Sequence, residues 1–146
     1  MANVFDVAKY ILEKQGQMTT LKLQKLVYYS LAWSLVWDET PLFNDTVKAW
    51  GSGPVVPALY SHHRGMYYIE AKNFDRGDSS TLTESERATI DAVLQHYGDK
   101  SAQYLVALTH TEPPWRAARG PLPPESTASP EMKLDAIAEY YASLAS

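Results

Sequence analysis

The chain has 146 residues, 45% of them hydrophobic and 21% charged, which is enough apolar material for one domain and excludes wholesale disorder. It contains no cysteine, which excludes a disulfide scaffold, thiolate metal sites and a cysteine nucleophile and fits a reducing cytoplasm. The net charge of −4, with compact basic groups only at Lys22/Lys25 and His62-His63-Arg64, argues against nucleic acid as the main ligand.

Neither a basic leader followed by an apolar run nor a bilayer-length apolar stretch is present, so a cytoplasmic protein without membrane contact is expected. Asn3 is a favoured N-cap, and Val4, Val7, Ala8, Ile11 and Leu12 recur on one face, predicting a first helix closed by Gly16. Thr19 or Thr20 then caps a second helix running to Trp37. From Leu26 to Trp37 its apolar residues occupy nearly every side, the pattern of a central, buried helix. Its N-terminal half leaves Lys22, Lys25 and Tyr29 on one stripe, expected at the surface because lysine is almost never buried unpaired.

An irregular segment starts at Pro41-Leu42-Phe43, and Thr46–Trp50 suits a short strand. Beyond Gly51-Ser52-Gly53, Pro54 is expected at the first turn of a helix over 55–64, with Pro57 still inside that turn. Residues 66–81 read as a surface loop with a short strand at Tyr67–Glu70. Thr83 with Glu86 forms a capping box for a helix burying Ile90, Val93, Leu94 and Tyr97, stopped by Gly98. Asp99 or Ser101 opens another, burying Ala102, Leu105, Leu108 and Thr109 and ended by Pro113-Pro114. Gly120–Ala128 reads as an extended, mobile, proline-rich connector. Ser129 and Pro130 should open a last helix over 130–145, whose face of Leu134, Ile137, Ala138, Tyr141, Leu144 and Ala145 must dock on its own core or on a partner. The expectation is one mainly α domain over 1–146, a bundle of five to six helices with at most one or two short strands.

Catalytic groupings are not evident. Adjacent His62 and His63 point about 100° apart on a helix and share no metal easily. Gly51-Ser52-Gly53 lacks the Gly-Lys-Ser/Thr continuation of a phosphate loop and is too short for a nucleophile elbow. The carboxylates are scattered over solvated helices. No enzyme activity, metal or organic cofactor is therefore expected. The 4 tryptophans and 10 tyrosines are more than such a core usually needs, and these are the side chains most enriched at protein–protein hot spots.

Three blocks stand in order along the chain. The first is Leu21-Lys22-Leu23-Gln24-Lys25-Leu26-Val27-Tyr28-Tyr29, followed by Pro41-Leu42-Phe43. The second is Ala49-Trp50 with Gly53-Pro54-Val55-Val56-Pro57 and Leu59-Tyr60, and the third is His110 with Pro114-Trp115. Together they resemble the Panacea domain family, formerly a domain of unknown function, found in proteolysis-promoting antitoxins and phage-associated proteins. The resemblance implies a compact helical fold and an antitoxin that neutralises a cognate toxin by direct contact. The alternative it implies is a phage or mobile-element adaptor that binds a host protein or delivers a partner to a cellular protease. Blocks so far apart are expected to meet in space. Lys22, Lys25, Tyr29, Trp50, Gly53, Tyr60, His110 and Trp115 are the partner-binding candidates, with the lysines rimming an aromatic patch, and His110 and Trp115 sharing a surface groove with the glycine turn.

Overall fold

The computed structural model describes residues 1–145. Helix α1 (Val4–Gln15) starts where Asn3 accepts the Phe5 N–H at 2.8 Å, and Gly16, at φ +82°, lets the chain leave it. Strand β1 (Met18–Thr19) leads directly into helix α2 (Thr20–Trp37), whose first turn is capped by the Thr19 hydroxyl accepting from Lys22 N–H at 3.1 Å. Helices α4 (Glu84–Tyr97), α5 (Ala102–Thr111) and α7 (Leu134–Ala145) join α1 in packing around α2, so α2 is the axis of the core.

The fully buried stretch of that axis is Leu23–Ala32 rather than Leu26–Trp37. Trp33, Leu35 and Val36 are half-buried and Trp37 is 48% exposed. The shift arises because residues after the helix fold back over Gln24, Lys25, Tyr28 and Tyr29 and not over its last turn.

Over Gln24 and Lys25 the covering structure is a β-hairpin, while Tyr28 and Tyr29 are met by Tyr141 and Glu112. Strand β2 (Lys48–Trp50) pairs antiparallel with β3 (Gly53–Val55) in the register Lys48↔Val55, Ala49↔Pro54 and Trp50↔Gly53. Pro54 thus lies in a strand, not at the start of a helix. Helix α3 (Pro57–His63) begins only after Val56, with Pro57 in its first turn, where the missing N–H costs nothing. Two β-branched valines favour the extended run that postpones it.

Residues 130–132 lie along the other edge of β2. Ala49 N–H donates to Pro130 O at 2.8 Å and Met132 N–H to Val47 O at 2.9 Å. This pairing delays α7 to Leu134, later than the expected start at 130. Once formed, α7 docks on α2 and α6 (Pro113–Arg119) through Ile137 and Tyr141 and closes the chain's own core. Helix α6 was not expected: Pro113-Pro114 end α5 but occupy the first turn of the next helix. The connector after it is tied down by Arg119, 4% exposed, which donates to the carbonyls of Ala49, Pro123 and Ala128.

Strand β4 (Tyr68–Ile69) pairs with β1, and 3-10 turns at Ala71–Asn73 and Ser79–Thr81 follow. This segment is more than surface loop, since Ile69, Phe74 and Leu82 are buried. The capping box at Thr83 and Glu86 forms as expected, and Ser101 caps α5. The described residues therefore hold seven α-helices and two small two-stranded sheets, one helix more than the bundle expected. No helix among them is long and apolar enough to cross a membrane.

Candidate functional site

A strand edge must have its backbone groups satisfied, and here two side chains of α2 do so for β3. Gln24 Oε1 accepts the Val56 N–H at 2.9 Å, while its Nε2 lies 3.3 Å from Val56 O and 3.0 Å from His63 Nε2. One residue on, Lys25 Nζ donates to Pro54 O at 3.2 Å. The lysine and Gly53 fit only each other. A Cβ on Gly53 would stand 2.7 Å from Lys25 Cε and 2.9 Å from Thr109 Oγ1, and its φ of +110° suits no L side chain.

Lys25 and Tyr29 are completely buried, which corrects the expectation of a surface stripe. The hairpin lies on Lys25, and Tyr97, Glu112 and Tyr141 cover Tyr29. Among the described residues Lys25 has no carboxylate in salt-bridge reach, and burial pushes its ammonium down from 10.5 to about 7. Glutamate at this position would place an unpaired carboxylate in the core, so Lys25→Glu reads out folding and cannot probe a surface.

Above the latch the aromatic residues converge. Trp50 meets Tyr60 edge-on with centroids 4.9 Å apart, and its Nε1–H donates to Ser129 Oγ at 2.8 Å. The Trp115 indole donates to the Trp50 carbonyl at 2.8 Å, and His110 stacks on Trp115 at 4.1 Å. The His110 ring thus packs beside the glycine turn. Its Nε2 is buried without a hydrogen-bond partner, and burial lowers its pKa, although the nearby Gly51 backbone favours the charged form. Of the eight candidates, Lys25, Trp50, Gly53, Tyr60, His110 and Trp115 gather here. Lys22 does not: half-buried, it donates to Gly98 O at the end of α4 at 2.8 Å.

Tyr29 belongs to a second buried network that the sequence reading missed. Its hydroxyl donates to Glu112 Oε1 at 2.8 Å and Tyr141 donates to the same oxygen at 2.7 Å. With the Tyr141 proton engaged, Tyr28 is left to donate to Tyr141 across 3.0 Å. Burial raises the Glu112 pKa, and the two tyrosine hydrogen bonds oppose that rise. The available signal was a carboxylate set directly before Pro113-Pro114-Trp115, at the joint of two helices. Tyr141→Phe is expected to cost about 1–3 kcal/mol, because it strips Glu112 of a donor and leaves the Tyr28 hydroxyl buried and unpaired. Urea unfolding at neutral pH measures this, and an unchanged midpoint would show that the network adds no stability.

The adjacent histidines diverge as expected. His63 turns inward to Gln24, while His62 packs against Phe74 with Nε2 3.1 Å from Asn73 O. Among the described residues no three His, Asp or Glu side chains gather as a metal site. The latched hairpin carries Trp50, half-buried, and Tyr60 of α3 packs edge-on against it.

Comparison with known proteins gives one family and one curated relative. The family described as "Antitoxin SocA-like, Panacea domain" matches residues 23–116. Antitoxin SocA of Caulobacter vibrioides (strain NA1000 / CB15N) is 32% identical over 131 residues, covering 79% of this chain and 70% of the relative. No solved structure matches.

Proposed function

The chain belongs to the SocA-like Panacea domain family, and on that premise we propose that it is an antitoxin that neutralises a cognate toxin by direct contact in the cytoplasm. The observation that carries this reading is the extent of the match. Residues 23–116 take in α2 from Leu23, the whole hairpin, α5 and Trp115. The matched region is therefore the region that builds the aromatic corner.

The mechanism is occlusion, not catalysis, and requires no cofactor. Trp50 and Tyr60 serve as anchors, since aromatic side chains held rigidly at a surface lose little entropy on binding. Gln24, Lys25 and Gly53 act from beneath by fixing the hairpin, and so contribute to binding without touching the toxin.

Co-expression with the adjacent gene in a growth assay tests this. Growth should be restored by the parent chain and lost with Trp50→Ala; the Trp115 hydrogen bond to the Trp50 carbonyl survives the change while the Tyr60 edge contact and the Ser129 hydrogen bond are lost, so the variant should stay folded with a melting temperature lower by only a few degrees. Failure of the parent chain to protect would remove the antitoxin reading. Repeating the assay in protease-deficient cells separates occlusion, which survives there, from delivery of the toxin to a protease, which does not.

A further inference from the structure

We infer that His63 is a proton-operated release for the junction between β3 and α3, because its protonated ring and the Gln24–Val56 hydrogen-bond pair exclude each other. The device belongs to the chain alone and is independent of what the chain binds.

A backbone N–H can only donate, so the Val56 N–H, 2.9 Å from Gln24 Oε1, fixes which way the Gln24 amide faces. The amide nitrogen then has two hydrogens to place. One goes to Val56 O at 3.3 Å and the other to His63 Nε2 at 3.0 Å. His63 Nε2 is therefore an acceptor and carries no proton. All three residues are closed off from water: Gln24 is 2%, Val56 0% and His63 4% exposed.

A proton added at Nε2 would face the amide hydrogens, donor against donor. Turning the Gln24 amide over gives the ring its acceptor but sets the –NH2 against the Val56 N–H. Either orientation leaves a buried donor unpaired for as long as the junction stays closed. Val56 follows directly on β3, and its carbonyl also accepts the Tyr60 N–H at 3.0 Å in the first turn of α3. Loosening Val56 thus uncouples the hairpin from the helix whose Tyr60 meets Trp50. The neighbouring His62 provides the contrast. Its Nε2 lies 3.1 Å from Asn73 O, an acceptor that serves the neutral and the charged ring alike.

The surroundings of His63 oppose its protonation. Burial acts most strongly, and Lys25 from α2 and His62 from α3 add repulsion; only a hydrogen bond to its own backbone favours the charged form. Tyr60 meets the ring edge-on at 5.4 Å, and Lys25 and Arg119 of α6 act in turn on His110 of α5. Among the described residues no carboxylate forms an ion pair with the ring. The His63 pKa consequently lies below 6.5, so the contribution of the neutral ring is complete above that pH and is lost as the pH falls. The corresponding window for Lys25 runs from 10.5 down to about 7, which leaves the interval from pH 7 to 5 to the histidines.

Amide hydrogen exchange of the full chain, followed residue by residue by NMR between pH 7 and 5, tests the inference. The protection factor of Val56, corrected for the intrinsic pH dependence of exchange, should fall about tenfold, since the open junction takes up a proton that the closed one refuses. Leu26, within α2, should keep its protection, and His63 should titrate below 6.5. His63→Phe removes the titrating group and should abolish the change at Val56. Gln24→Glu is a second variant, one that inverts the device. One carboxylate oxygen still accepts the Val56 N–H while the other accepts from protonated His63. The His63 midpoint should then rise above 6.5 and Val56 should stay protected in acid. Constant protection at Val56 in the parent, equal loss at Leu26, a change that survives in His63→Phe, or a His63 midpoint that stays low in Gln24→Glu would each overturn the inference.

Discussion

Lys25→Met should make the protein more stable at pH 7, and the advantage should shrink steadily as the pH rises towards 9.5. Lys25 is fully buried, its ammonium meets only the Pro54 carbonyl, and burial brings its pKa from 10.5 to about 7. A folded-state pKa below the unfolded one means that the unfolded chain holds the proton more tightly. The stabilising contribution is then complete above 10.5 and is lost as the pH falls through about 7. At about 1.4 kcal/mol per pH unit, the ceiling over that interval is on the order of 5 kcal/mol. Methionine fills similar space without the charge and gives up one hydrogen bond, worth about 1 kcal/mol. Urea unfolding at pH 7, 8 and 9.5 provides the measurement. The parent should gain about 3 kcal/mol across that range and the variant very little. Parallel profiles would mean that Lys25 keeps its charge inside the fold, held by partners other than Pro54.

Leu26→Ala is expected to lower stability by about 2–5 kcal/mol, since the leucine has no exposed surface and its neighbours on α2 are themselves held by tertiary contacts that resist collapse into the gap. For a chain of this length that loss corresponds to roughly 5–15 °C in melting temperature. Trp37→Ala, three turns further along the same helix, is the control. At 48% exposure its main intramolecular contact is the stack on Trp33, with centroids 4.9 Å apart, and its loss should cost only about 0.5–1.5 kcal/mol. Calorimetry on the two variants compares the ends of the helix directly. Equal losses would mean that burial extends along the whole of α2; a small loss at Leu26 would remove α2 from the centre of the core.

Local signals account for much of the fold. Asn3, Thr19, Thr83 and Ser101 each cap the helix they precede, because an N-cap needs only a side-chain oxygen and the next three residues. Prolines were read less well. Pro54 went into a strand and Pro113-Pro114 into a first helical turn, since a fixed φ near −65° fits both settings and only the neighbours decide between them.

What the sequence determined by itself was six of the seven helices, the central place of α2 and the three blocks that mark the family. It also indicated that the blocks meet: Trp50, Gly53, Tyr60, His110 and Trp115 do so around the hairpin, with Lys25 beneath them. Only the tertiary structure decided which of them face water. Along α2 the period of Lys22, Lys25 and Tyr29 describes a stripe, and lysine normally marks a stripe as exposed. The hairpin instead laid a strand across it, turning Gln24 and Lys25 into hydrogen-bond partners for an edge and leaving Tyr29 to Glu112. No pattern within α2 encodes that event, because the groups that satisfy Gln24, Lys25 and Tyr29 come from positions 54, 56, 63 and 112, brought there by chain folding. Periodicity reports which side chains share a face; what covers that face is set by contacts between residues far apart in the chain.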